Sequence, residues 1–141
     1  MTAFVIVLVV TVVAGLAVVI VVPRVQMAKK TAKLKGKPAP TPHKPSAKRI
    51  KSGARTILYF STPTCPACRT QDPIIRKIQK RYPDAVFKID ASTNQKAASA
   101  YGVMGVPYLA FIEGGQLVTA RSGAQKEATI VEFLSGGAKS A

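Results

Sequence analysis

Cys65-Pro66-Ala67-Cys68 holds both cysteines of this chain, three positions apart, and is the segment best suited to chemistry. It follows the apolar run Thr56-Ile-Leu-Tyr-Phe60 and opens a stretch with helical periodicity. A cysteine at the start of a helix meets unpaired backbone N–H groups and the positive end of the helix dipole, and both favour the thiolate. A second cysteine one turn on can attack a mixed disulfide formed by the first. Arg69 adds positive charge beside the pair, and Arg76, Lys77, Lys80 and Arg81 continue it along the same stretch. Pro66 removes one donor and stiffens the loop. The competing use of such a pair is half of a metal site. With 2 Cys and 1 His in the whole chain, a closed zinc site of four ligands would need a second chain. No metal is expected, and a CxxC on a strand–helix–strand unit points to thiol–disulfide chemistry.

The elements that must position the pair are short. Thr56 to Phe60 reads as a buried strand, and Cys65 to about Tyr82 as a helix with Ile74, Ile75, Ile78 and Tyr82 on one stripe. Pro73 is expected to kink that helix and Pro83 to end it. Ala85 to Ile89 is a second strand, and Ser92 is placed to cap a helix running to about Ala100. Tyr108–Ile112 and Leu117–Arg121 flank Glu113-Gly114-Gly115-Gln116 as a hairpin, and Lys126 to Leu134 is a closing helix stopped by Gly136. The order βαβαββα predicts an α/β fold: a parallel start with an antiparallel edge.

These pieces together resemble the thioredoxin family. The strand ILYF, then CPAC, then Pro73, the strand FKID, AYGV, GVPYLAFIEGG and SGAQ stand in the family's order over about 84 of 141 residues. The resemblance implies a thioredoxin-like, four-stranded mixed sheet with flanking helices, trimmed at its N-terminal end. It implies that Cys65 is the attacking, partly exposed thiol and Cys68 the resolving one, with no cofactor beyond a redox-active Cys65–Cys68 disulfide. Pro107 stands where the family carries a cis-proline. With Val106, Thr64 and Pro66 it would line the groove where substrate backbone docks. Two positions depart from the family: its usual tryptophan beside the first cysteine is Thr64, and its buried acid six residues earlier, commonly given a proton-transfer role, is Tyr59. Tyr59 and Arg69 are therefore the residues expected to tune the pair.

The rest of the chain is different in kind. Lys and Arg number 21 against 6 Asp and Glu, a formal charge of +15. From Phe4 to Val22 only Thr11 and Gly15 are neither Ala nor strongly apolar. As a helix this stretch would span about 28 Å, near the hydrocarbon thickness of a bilayer. Residues 1–23 are expected to be a transmembrane anchor rather than a cleaved signal, since the N-terminal side has no Lys or Arg. Arg24, Lys29, Lys30, Lys33, Lys35 and Lys37 follow it. They predict a single-pass protein with its N-terminus outside and the remaining chain on the cytoplasmic, positive-inside face. Residues 24–53, rich in Lys and Pro, read as a disordered basic linker. It would be a spacer or a contact for anionic lipid headgroups, with nucleic acid the less favoured polyanion. The expected domain is 54–137, with a tail over 138–141.

The resulting expectation is a membrane-tethered thiol–disulfide oxidoreductase that reduces protein disulfides. Its partners would be disulfide or dithiol clients, a thioredoxin-reductase-like or other electron donor, and the bilayer. Two alternatives come from other classes: a structural or scaffolding membrane protein, cellular or virion, that keeps the fold with little turnover, and a redox-gated binding module.

Overall fold

The computed structural model describes residues 1–137, and the side chains of all of these except 2, 3, 21, 23–32 and 34. The tail at 138–141 and the side chains of Arg24, Lys29 and Lys30 lie outside the described residues.

Helix α1 spans Thr2–Leu34. The side chains from Phe4 to Ile20 are exposed, and none of them joins a buried cluster. Among the described residues no helix is long and apolar enough to cross a membrane. That finding overturns the expected single-pass anchor over 1–23. The placement of the domain on a cytoplasmic face falls with it. Nor does the helix stop at Pro23: it runs on into the basic segment as far as Leu34, so the apolar residues are not a rod set off by a break.

The linker expected to be disordered over 24–53 is in regular structure instead: α1 takes its first part to Leu34, and its second half is tied to the hairpin and the core. Gly36 N–H donates to the Leu117 carbonyl at 2.9 Å, Ala39 N–H to Gly115 at 2.8 Å, and Leu117 N–H to Lys37 at 3.2 Å. The Tyr101 hydroxyl donates to the Pro40 carbonyl. Helix α2, Lys44–Lys51, follows with Pro45 in its first turn. Its N-cap residue is His43, whose carbonyl accepts from the Ser46 hydroxyl at 3.0 Å. The His43 ring also stands edge-on to Phe87. One apolar residue anchors α2: Ile50, 2% exposed, enters the core. The order here comes from backbone hydrogen bonds and from the burial of Ala39, Ser46 and Ile50, neither of which shows in a Lys- and Pro-rich composition.

The remaining elements are β1 (Thr56–Ser61), α3 (Pro66–Arg81), β2 (Val86–Asp90), α4 (Gln95–Ala100), β3 (Tyr108–Glu113), β4 (Gln116–Ser122) and α5 (Glu127–Ser135). The order from β1 onward is the one the sequence predicts. Four strands form one sheet in the order β2-β1-β3-β4. β1 is parallel to β2 and antiparallel to β3, and β3 is antiparallel to β4. Helix α4 starts later than expected. Ser92 gives both its N–H and its hydroxyl to the Asp90 carboxylate, so Asn94 takes the N-cap position.

Strand alternation distributes β1 between two cores. Ile57 and Tyr59 face a cluster with Ile75 and Ile78 of α3, Leu109 and Phe111 of β3, and Ile130 and Phe133 of α5. Leu58 and Phe60 face the other side, with Ile50, Ile89, Ala97, Tyr101, Tyr108 and Ile112. The sheet is thus buried on both faces, which is why β1 reads as a continuous apolar run.

Candidate functional site

The C-terminal end of β1 delivers the chain to Cys65 through the tight Ser61–Thr64 segment. Cys65 is the N-cap residue of α3, in extended backbone, and the Cys68 N–H donates to its sulfur at 3.1 Å. Pro66 occupies the first turn, where its missing N–H costs the helix nothing. Cys65 and Cys68 are joined as a disulfide with Cα atoms 5.3 Å apart. Cys65 is 8% exposed and Cys68 3%. Thr64, Pro66 and Arg69 surround the pair as exposed residues.

The Val106–Pro107 peptide bond is cis. Val106 is half-buried and Pro107 buried, and the Val106 carbonyl oxygen lies 3.6 Å from the Cys65 sulfur. Gly123 N–H donates to the Pro107 carbonyl at 2.8 Å. Gln125 N–H donates to Oε1 of Gln71 at 2.6 Å. Gln71 sits fully buried on α3, three residues after Cys68, and its Nε2 has no partner among the described residues. The loop after β4 is therefore tied at once to the cis-proline and to the helix that carries the cysteines.

Beneath the pair lies a polar cluster. Tyr59 is fully buried, and its hydroxyl donates to Oδ1 of Asp72 at 2.9 Å, with the Cys68 carbonyl oxygen 3.5 Å away. Lys88 Nζ donates to Oδ2 of Asp72 at 2.8 Å. Parallel pairing puts Tyr59 opposite Lys88, and the Lys88 ammonium stands 5.9 Å from the Tyr59 ring centre. Burial, and then the Asp72 carboxylate, push the Tyr59 phenol above its ordinary range, so it stays a protonated donor. Burial raises the Asp72 carboxyl. Hydrogen bonds from Lys88 and Tyr59, with the charges of Lys88 and Arg76, outweigh that and hold it below the usual carboxylate range. Asp72, Lys88, Asp90, Arg69 and both cysteines line a cavity of about 270 Å³.

The structure therefore gathers Tyr59, Thr64, Cys65, Pro66, Cys68, Arg69, Val106 and Pro107 at one end of the sheet, around a bond that can cycle between disulfide and dithiol. Among the described residues no group of three or more His, Cys, Asp or Glu could hold a metal ion. Sequence reasoning passed over Asp72, Lys88 and Gln71. A signal for Asp72 exists in its spacing, four residues or one turn after Cys68; Lys88 and Gln71 become visible only through strand register and loop packing.

Residues 43–136 match the family model described as Thioredoxin. Thioredoxin 1 of Synechococcus elongatus is 30% identical over 87 residues, 60% of this chain and 81% of that protein. NADPH-dependent thioredoxin reductase 3 of Arabidopsis thaliana is 31% identical over 80 residues. They are 55% of this chain and 15% of the reductase, so only a small part of that protein is matched. Among solved structures, the thioredoxin of Fasciola hepatica superposes with a TM-score of 0.56 at 28% identity, covering 64% of this chain and 86% of that one.

Proposed function

The chain belongs to the thioredoxin family, and from that premise we propose that it reduces protein disulfides, with Cys65 as the attacking thiol and Cys68 as the resolving one. The Cys65 thiolate attacks one sulfur of a client disulfide; a Cys65–client bond forms and the other client sulfur leaves as thiolate. Cys68 then attacks the Cys65 sulfur and expels the second client thiolate, which leaves the Cys65–Cys68 disulfide. Two electrons pass to the client, and a dithiol donor returns them. The observation that carries the assignment is the position of Cys65 as N-cap of α3, with the Cys68 N–H directed at its sulfur. That arrangement stabilises negative charge on Cys65 and not on Cys68.

Thr64, Pro66, Val106 and Pro107 form the client groove in this reading, with Arg69 raising the local positive potential. An NADPH-dependent thioredoxin reductase is the proposed class of electron donor, supported by the likeness to a segment of one. The outer face of α3 favours acidic partners. Lys77 is paired with Glu127, while Arg69 and Lys80 are exposed and form no ion pair among the described residues, so client rates should fall as salt rises.

Cys68→Ser tests the assignment. Incubated with an oxidised client such as insulin, this variant should accumulate a covalent adduct on non-reducing gels, and the adduct should vanish in a variant that also carries Cys65→Ser. No adduct, together with no insulin reduction by the unsubstituted chain, would leave a scaffold with the same fold as the better description.

A further inference from the structure

The Val106 carbonyl oxygen lies 3.6 Å from the Cys65 sulfur. The cavity of about 270 Å³ is lined by both cysteines but not by Val106 or Pro107. Two carboxyl groups line that cavity, Asp72 and Asp90. Asp90 is committed elsewhere, because its carboxylate accepts both the N–H and the hydroxyl of Ser92 in the turn after β2. Asp72 is placed differently. It follows Cys68 by one helical turn and so shares its face of α3. Its two oxygens are held from opposite sides, by the Tyr59 hydroxyl at 2.9 Å and the Lys88 ammonium at 2.8 Å. Each oxygen keeps a lone pair after those bonds.

We propose that Asp72 is the proton acceptor that activates Cys68 in the resolving step, with Tyr59 and Lys88 acting as positioning residues that aim its carboxylate into the cavity. The inference rests on the assignment of Cys68 as the resolving thiol. The need for a base follows from burial. Cys68 is 3% exposed, and a thiol with an ordinary value near 8.5 is only about 3% thiolate at pH 7 even when exposed to water. Cys68 also lacks the N-cap position that favours charge on Cys65.

In the mixed disulfide the Cys68 S–H proton passes to Asp72, directly or through one water that the cavity has room for. The Cys68 sulfur attacks the Cys65 sulfur, the bond from Cys65 to the client breaks, and the client thiolate leaves. That thiolate takes the proton back from Asp72. The Cys68 sulfur is oxidised, the client sulfur is reduced, and Asp72 returns to its starting state.

The charged and titratable groups around Asp72 are Lys88 and Asp90 from β2, Tyr59 from β1, and Arg69 and Arg76 from α3. Lys88 helps to hold Asp72 below the usual carboxylate range, which makes it a weaker base and puts its contribution near the low end of general-base catalysis, about 100-fold.

The test uses the full chain, reduced, mixed in a stopped-flow with 5,5′-dithiobis(2-nitrobenzoate). The first release of chromophore reports attack by Cys65 and the second reports resolution by Cys68. Asp72→Asn keeps an oxygen for the Tyr59 hydroxyl, and should leave the first phase within about threefold while slowing the second about 100-fold at pH 7. The deficit should shrink as the pH rises past the Cys68 thiol, because hydroxide then supplies the thiolate. Lys88→Met retains Asp72 and should move the acid limb of the second phase to higher pH. That displacement is one a purely structural role for Asp72 would not produce, and it tests the proposal even if Asp72→Asn folds poorly. A second phase unchanged in Asp72→Asn, or slowed equally at pH 7 and pH 9.5, overturns the proposal. A missing first phase in the unsubstituted chain overturns the assignment of Cys65 instead.

Discussion

Replacing Tyr59 by Phe removes one oxygen from the buried cluster below the disulfide and leaves the ring packing in place. The hydroxyl it deletes donates to the Asp72 carboxylate at 2.9 Å. A hydrogen bond to a charged group contributes about 1.5–3 kcal/mol. Here the lower end applies, because the Asp72 side chain is 24% exposed and water can replace the lost donor. A loss of about 1.5 kcal/mol corresponds to a fall in Tm of about 6–12 °C for a domain of this size. The effect should depend on pH in a defined sense. Asp72 has a carboxyl held below its ordinary value in the folded chain, so the stability it contributes is complete above the unfolded value near pH 4 and is lost as the pH falls through the folded one. The gap between Tyr59→Phe and the unsubstituted chain should therefore be flat from about pH 5 to pH 8 and close at lower pH. The phenol itself, pushed upward by burial and then by Asp72, adds no titration in that window. Thermal melts followed by near-ultraviolet circular dichroism, with the disulfide intact, measure this. Equal Tm values at pH 7, or a gap that persists undiminished at pH 3, would refute the assignment of the bond.

Other substitutions test other parts of the argument. Ile50→Ala should cost about 2–5 kcal/mol in urea unfolding, since Ile50 is the apolar residue that seats α2 in the core; a negligible change would mean that α2 is not docked. Gly136→Ala should destabilise by more than about 1 kcal/mol, because Gly136 has φ +97°, a backbone conformation that a residue with a Cβ adopts only under strain. Glu113→Gln should cost less than about 1 kcal/mol and less still at high salt. The Arg55–Glu113 pair it breaks is partly exposed, with side chains 27% and 40% accessible. Reduction of acidic client peptides should slow with added salt more than that of neutral ones, as stopped-flow rates at two ionic strengths would show.

Much of the fold was legible because local pattern and tertiary role agree from β1 to α5. A run such as Ile57–Phe60 flanked by turn residues can be little other than a buried strand, and the hairpin at Gly114-Gly115 is set by backbone freedom, both glycines having positive φ. Ser92 failed as a cap because the side chain of Asp90 competed for it, a contest between neighbours that propensity does not rank. The expected anchor and linker failed for a different reason. Composition described residues 24–53 as too charged to order, yet the ordering of residues 36–39 comes from backbone groups of Gly115 and Leu117 in the β3–β4 hairpin, which take part whatever the side chains are.

At the site, the residues alone determined the chemistry: two thiols at CxxC spacing at a helix start, and a Val-Pro pair further along the chain. What only the tertiary structure decided is which groups converge beneath them. The loop after β4 meets Gln71 through packing, and Lys88 meets Tyr59 through the register of two parallel strands. A tyrosine where the family carries an acid reads as a loss in one dimension. In three it points its hydroxyl at Asp72, a carboxylate one helix turn from Cys68, because side-chain direction across a sheet and along a helix is set by how the elements stack and not by their distance along the chain.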